Sequence, residues 1–189
     1  PPALQDRLYL NDGSGTLTAA PEGTLPALRD SSGPVAAADF DADGDLDLFV
    51  GGRCVPGAWP TTPRSRLLRN TGGKFTDVTE AVAPALAEPG MVTGAAWADF
   101  NGDRAPDLVL CGEWMAPKVF LNAGGRLEPA ADTGRDELKG WWNGLTAADI
   151  DADGDVDFIA TNFGLNTKYH ASPKHPAMVY YGDFDASGR

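Results

Sequence analysis

Asp39-Phe40-Asp41-Ala42-Asp43-Gly44-Asp45-Leu46-Asp47 puts five acidic side chains into nine residues, between the apolar runs at 35–38 and 48–50. Like charge at that density costs free energy unless a cation neutralises it. Loop positions 1, 3, 5 and 9 can offer carboxylate oxygens, and position 7 can add its backbone carbonyl. Gly44, at position 6, permits the sharp turn that brings these groups around one ion. Numerous, flexible, oxygen-only donors suit Ca²⁺ better than Mg²⁺ or zinc.

The stretch recurs. Asp149-Ile150-Asp151-Ala152-Asp153-Gly154-Asp155-Val156-Asp157 repeats it almost letter for letter. Asp99-Phe100-Asn101-Gly102-Asp103-Arg104-Ala105-Pro106-Asp107 keeps the oxygen donors but has Arg104 where the turn glycine is expected. Asp183-Phe184-Asp185-Ala186-Ser187-Gly188-Arg189 begins a fourth copy without a ninth position. These loops contain fifteen of the 27 Asp and Glu residues. Four bound Ca²⁺ would therefore move the formal charge from −12 to about −4, an ordinary value for a soluble domain. The acidity reads as metal-site chemistry, and it argues against nucleic acid and anionic membrane surfaces as partners.

Between the acidic loops a second motif repeats. Arg7-Leu8-Tyr9-Leu10-Asn11 precedes a turn at 12–15, Arg66-Leu67-Leu68-Arg69-Asn70 a turn at 71–74, and Lys118-Val119-Phe120-Leu121-Asn122 a turn at 123–126. Each reads as a β-hairpin with a Gly-rich turn. Gly94 and Gly144 each fall five residues before the first loop Asp, where the first copy has Pro34, with Gly33 one earlier. Fifteen Pro and 23 Gly among 189 residues suit many short strands rather than helices, and an apolar fraction of 42% suffices for a core. No apolar run reaches membrane-spanning length.

The unit is thus strand, acidic loop, strand, connection, strand, Gly turn, strand. Loop starts at 39, 99, 149 and 183 set a four-stranded repeat of about fifty residues, which predicts β-propeller blades. The expected fold is all-β: one segment over 1–189 of about three and a half blades, with calcium in the first hairpin loop of each. The strands of the 163–182 interval cannot be placed from sequence. Opening halfway through a blade and ending at the start of another, the chain holds too few blades for a closed ring of about 4–8. It reads as a fragment, an open arc or a piece that closes by pairing with a second copy, and its open strand edges would favour self-association.

These residues resemble the FG-GAP, or VCBS, repeat family, the calcium-loop propellers that include the integrin α-subunit head. The Asp-x-Asp-x-Asp-Gly-x-x-Asp loops at 39–47 and 149–157 carry the likeness, with the Asn-x-Gly hairpins and Phe75-Thr76-Asp77-Val78-Thr79. Gly112-Glu113-Trp114-Met115 and Gly140-Trp141-Trp142-Asn143 look like bacterial multi-repeat members, whose parents tend to be exported. The resemblance covers roughly residues 7–189. It implies a secreted or surface-displayed calcium-bound propeller that binds partners. Its ligand positions fall on Asp39, Asp41, Asp43, Asp45 (carbonyl) and Asp47, and equally on Asp149, Asp151, Asp153, Asp155 (carbonyl) and Asp157. In the second loop they fall on Asp99, Asn101, Asp103, Ala105 (carbonyl) and Asp107, with Arg104 and Ala105 departing from the pattern. In the fourth they fall on Asp183, Asp185 and Ser187, an incomplete set that should bind weakly or not at all.

Other readings fit less well. An EF-hand needs flanking helices and Glu at position 12, where this chain has Val50, Leu110 and Ala160. Solvated acidic turns do not account for two near-identical five-carboxylate loops. Carboxylates committed to Ca²⁺ are poor proton shuttles. Of the other titratable candidates, His170, His175, Lys174 and Glu113, the histidines read as exposed loop residues, and no nucleophile elbow or phosphate loop is present. The chain is therefore expected to be a non-catalytic, calcium-stabilised extracellular, cell-surface or periplasmic module that binds or adheres to a protein or glycan. Trp59, in a Pro-rich insertion at 51–63, and Trp114, Trp141 and Trp142 are the candidate contact residues. The alternative is a purely structural segment of a larger exported protein, with hydrolase activity a more distant reading. Cys54 and Cys111 fit no metal spacing; pairing in an oxidising compartment and buried thiols both remain open.

Overall fold

A computed structural model describes residues 5–28, 30–131, 134–164, 167–172 and 174–184. Among the described residues twelve strands carry the fold. A hairpin of β1 (Tyr9–Asn11) and β2 (Leu17–Ala19) comes first. Next is a four-stranded antiparallel sheet of β3 (Ser31–Ala38), β4 (Asp47–Cys54), β5 (Arg66–Thr71) and β6 (Lys74–Asp77), in chain order. A second meander follows: β7 (Met91–Ala98), β8 (Asp107–Met115), β9 (Lys118–Asn122) and β10 (Leu127–Pro129). The pair β11 (Gly140–Ala148) and β12 (Asp157–Asn162) comes last. These are propeller-type blades on the expected plan: each of the first three acidic loops joins the two inner strands of a blade, and each of the Asn-ended strands β1, β5 and β9 opens a hairpin.

Strand alternation lets one blade bury both faces. In the first blade Phe49 and Leu67 point one way, into a cluster with Phe40, Val92, Leu108, Leu110, Phe120 and Leu127 of this blade and the next. Val50 and Leu68 point the other way, with Leu28 and Phe75, and with Leu8 and Leu25 packed against them. The connection between blades is not wholly irregular. A short helix α1 (Thr79–Val82) and a 3₁₀ turn at Pro84–Leu86 supply Ala83 and Leu86 to the interblade core.

The inner strands β3, β7 and β11 lie next to one another along the arc. Each carries a register irregularity at the same place: Ser32/Val35, Val92/Gly94 and Trp142/Gly144. Glycine there is a matter of space. A Cβ on Gly33 would stand 2.7 Å from the Val92 carbonyl oxygen, and one on Gly94 would stand 2.8 Å from the Leu145 backbone nitrogen and from Cys111 Sγ. Backbone cannot move aside as a side chain can, so Gly94→Ala is expected to destabilise the chain by about 1–3 kcal/mol. A urea titration followed by tryptophan fluorescence would read this as an earlier midpoint with unchanged slope.

In the 163–182 interval, where sequence placed no strands, the described residues form no strand beyond one isolated bridge, Ser172 to His175. Cys54 and Cys111 are free thiols. Burial holds the Cys111 thiol above its ordinary value, which suits an inert core position. Among the described residues no helix is long and apolar enough to cross a membrane.

Candidate metal loops and an aromatic row

Side-chain-to-backbone hydrogen bonds set the shape of the acidic loops. In the first, Asp39 Oδ1 accepts the Asp43 N–H (3.1 Å), Asp39 Oδ2 accepts the Gly44 N–H (3.0 Å) and Asp43 Oδ1 accepts the Asp45 N–H (2.9 Å). The third repeats the pattern, Asp149 Oδ2 taking the Gly154 N–H (3.1 Å) and Asp153 Oδ1 the Asp155 N–H (2.9 Å). Two residues in each loop are left-handed: Ala42 and Gly44 in the first, Ala152 and Gly154 in the third. The second loop keeps that backbone with its glycine displaced. Gly102 holds position 4 at φ 78°, and Arg104 takes position 6 at φ 73°, where a side chain is strained. Its N–H donates to Asp99 Oδ2 (2.8 Å) and helps hold the turn.

The carboxylates at positions 1, 3 and 5 converge. Asp39, Asp41 and Asp43 each have an oxygen within 4.8 Å of the other two, as do Asp149, Asp151 and Asp153. Ligands on opposite sides of one Ca²⁺ stand about 4.6–5.2 Å apart, so each trio could reach a single ion. In the first loop Asp41 Oδ1 is buried with no hydrogen-bond donor, while Asp41 Oδ2 lies 2.6 Å from Arg69 Nε. Asp45 Oδ2 accepts the Gly72 N–H (2.7 Å), which commits that side chain to the outer hairpin. The expected contribution of position 7, its backbone carbonyl, does not depend on that side chain. In the second loop the Asn101 amide donates to Asp103 Oδ2 (2.9 Å) and so meets internally some of the charge that a cation would otherwise balance.

Position 9 is placed differently. Asp47 and Asp107 are fully buried and lie outside the converging trio. Asp47 Oδ2 accepts the Phe40 N–H (3.1 Å) and Oδ1 the Asn70 N–H (2.7 Å), bracketing loop and outer hairpin together. Asp107 does the same with Phe100 (2.9 Å) and Asn122 (2.7 Å). Burial pushes the Asp47 carboxyl up, opposed by the two N–H donors, with Asp41 and Asp43 adding like-charge repulsion. The hairpin Asn completes the bracket: Asn70 Nδ2 donates to the Leu46 carbonyl (3.0 Å), and Asn122 Nδ2 to the carbonyls of Phe40 (2.7 Å) and Pro106 (3.2 Å). Sequence had marked these asparagines as recurrent without a role. Of the fourth loop, Asp183 is described, while Asp185 and Ser187 lie outside the described residues.

Trp59, Trp114, Trp141 and Phe163 form a row of rings with centroids 6.5, 5.4 and 5.4 Å apart. Its two end rings are open, Trp59 48% and Phe163 40% exposed. Trp142 does not join the row: its indole N–H donates to the Leu138 carbonyl (3.2 Å). Neighbours in one strand face opposite ways, so Trp141 and Trp142 could not both line it. Phe163 was not foreseen, because nothing local links it to residues 59 and 114. Trp114 also lines a cleft of about 470 Å³ with Glu113, Met115, Lys118, Lys139 and Tyr181. Glu113, buried in this cleft wall, pairs with Arg53 at 2.6 Å. His170 and His175 are both exposed.

Two four-stranded meanders and a further inner pair, with an acidic loop between the inner strands of each, define a β-propeller-type repeat module. The FG-GAP-like repeat family matches residues 4–50 and 99–160, more than half of the chain. The chain belongs to that family. No curated protein matches it.

Proposed function

We propose that this chain is a calcium-stabilised, exported binding module that presents the aromatic row to a protein or glycan and carries out no chemistry of its own. The observation that carries the calcium part is the convergence of Asp39, Asp41 and Asp43, repeated by Asp149, Asp151 and Asp153. The donor set is all oxygen and strongly anionic, and Asp41 Oδ1 is buried without a donor. Such a set suits a hard divalent cation. Bound there, Ca²⁺ supplies charge neutralisation. The chain's residues hold the loop: Asp39 and Asp43 tie its backbone, Asp45 fastens it to the Gly72 turn, and Asp47 seals it to Asn70. Asn101 makes the second loop the weaker of the three, since it lowers the charge and already pairs with Asp103. Sites of this open kind fill where calcium is plentiful, which favours an exported protein.

Partner binding falls to the aromatic row, because large rings with exposed ends give apolar contact at low entropic cost. A glycan array and a pull-down, each run in calcium and in EDTA, test this reading. A signal seen in calcium and lost with Trp59→Ala or Phe163→Ala is expected. A signal indifferent to both substitutions would remove the row from the binding surface.

A further inference from the structure

Trp114 is held in place at a cost. Strand β11 meets β8 with Gly140 opposite Met115 and Trp141 opposite Glu113, so Trp114 is the extra residue of a β-bulge. Its φ is 59°, in the left-handed region that a bulge of this kind usually fills with glycine. Its indole N–H is buried and has no hydrogen-bond partner. A bulky residue with that backbone and an unpaired buried donor both oppose folding. Bulges and strained residues collect beside functional sites, where the side chain they place is needed.

Here the side chain placed is one wall of the cleft. Trp114 lines it, with the Trp59 and Trp141 rings 6.5 and 5.4 Å away. A volume of about 470 Å³ falls among small-molecule sites, which run from about 300 to 1,000 Å³. Met91, Met115 and Ala116, all buried, supply an apolar surface. The polar groups are of both kinds: Glu113 accepts, Lys118 and Lys139 donate, and the Tyr181 hydroxyl can do either. Charge is balanced, since the carboxylates of Glu88, Glu113 and Asp136 stand with Lys118, Lys139 and the Arg53 that pairs with Glu113.

These features select among ligands. An ion gains little from walls whose charges already cancel. An apolar chain would cover the lysines and Glu113 without returning the hydrogen bonds they lose to it. A pyranose meets both needs. One face of the ring is a set of C–H bonds that packs on the negative face of an indole, and its rim carries hydroxyls that donate and accept.

We infer that the cleft takes one uncharged pyranose residue of a glycan, its C–H face against Trp114 and its hydroxyls meeting Glu113, Lys118, Lys139 and Tyr181. The inference rests on the proposed binding function and commits it to one ligand class. Phe163, at the far end of the aromatic row, is not among the residues lining the cleft, which keeps the two separable.

Isothermal titration calorimetry in calcium tests it, with oligomers of glucose, mannose, xylose and N-acetylglucosamine, and with an oligomer of galacturonate as the charged counterpart. At least one neutral oligomer is expected to saturate, and galacturonate to bind more weakly. Lys139→Ala and Tyr181→Ala, both exposed positions, should each weaken the sugar by about two- to tenfold with circular dichroism unchanged. Glu113→Gln should cost about tenfold or more. Trp114→Gly, which gives the bulge the residue its backbone favours, should abolish binding. No saturation by any neutral oligomer up to millimolar concentration would overturn the inference, as would tighter binding of galacturonate. Sugar binding lost with Phe163→Ala but untouched by Lys139→Ala and Tyr181→Ala would overturn it and leave the row as a binding surface. So would a protein captured through the row by a chain that binds no sugar. Sugar binding lost with the cleft substitutions and indifferent to Phe163→Ala would uphold the cleft and remove the far end of the row.

Discussion

Adding excess EDTA to the calcium-saturated chain is expected to lower its melting temperature by ~10 °C while the β signal persists at room temperature. At free calcium ten times Kd, one site that exists only in the folded state contributes about 1.4 kcal/mol, and three contribute about 4 kcal/mol. For a chain of this size each kcal/mol shifts the midpoint by about 2–4 °C. The reason lies in the loops: Asp39, Asp41 and Asp43 hold their oxygens within 4.8 Å of one another, as do Asp149, Asp151 and Asp153. Without a cation that repulsion opposes folding; with one it becomes attraction. A melt followed by circular dichroism, with and without chelator, reads the shift. Asp151→Asn should shrink it by about one site's share, and an unshifted midpoint would remove calcium as a structural ligand.

Asp107→Ala is expected to cost more than the loss of any single ion, and to cost it with or without chelator. The side chain is fully buried and accepts the N–H groups of Phe100 at 2.9 Å and Asn122 at 2.7 Å. Truncation leaves two buried donors unpaired at about 1–3 kcal/mol each, so about 2–6 kcal/mol in all. It also releases the acidic loop from the outer hairpin of its blade. Chemical denaturation in EDTA isolates the effect, because the bracket is made of this chain's own bonds. A loss of stability seen only in calcium would instead make Asp107 primarily a metal ligand. Asp107→Asn, which keeps one carbonyl acceptor, should fall between the two.

The distinction between these substitutions shows how far sequence could see. Its pattern marked Asp39, Asp41, Asp43 and Asp47 alike as carboxylate donors and Asp45 as a carbonyl donor, since alternate acidic residues in a turn look alike along a chain. Folded, they divide: positions 1, 3 and 5 converge, the position 7 side chain goes to the Gly72 turn, and position 9 is buried as a bracket. The partners that cause the division, Asn70 and Asn122, lie 23 and 15 residues away from Asp47 and Asp107. No local spacing connects them.

What the sequence determined by itself is what repeats within a blade: the strand–loop–strand unit, the Asn-ended hairpins, the all-β class and the acidic loops. Each of these depends on residues a few positions apart, through strand alternation, turn chemistry and the crowding of like charge. Tertiary structure decided what one blade does to another. Gly33 and Gly94 read as pattern marks until the neighbouring inner strand came within 2.7–2.8 Å of where a Cβ would stand. Arg104 accepts a left-handed backbone because the bonds of the second loop hold it there. Trp59, Trp114 and Trp141 met Phe163, while Trp142 turned to Leu138, once strand direction and blade packing had fixed where each ring points. Contacts between residues far apart in the chain close only when the intervening blades fold, so their geometry belongs to the packed arc and not to any stretch of sequence.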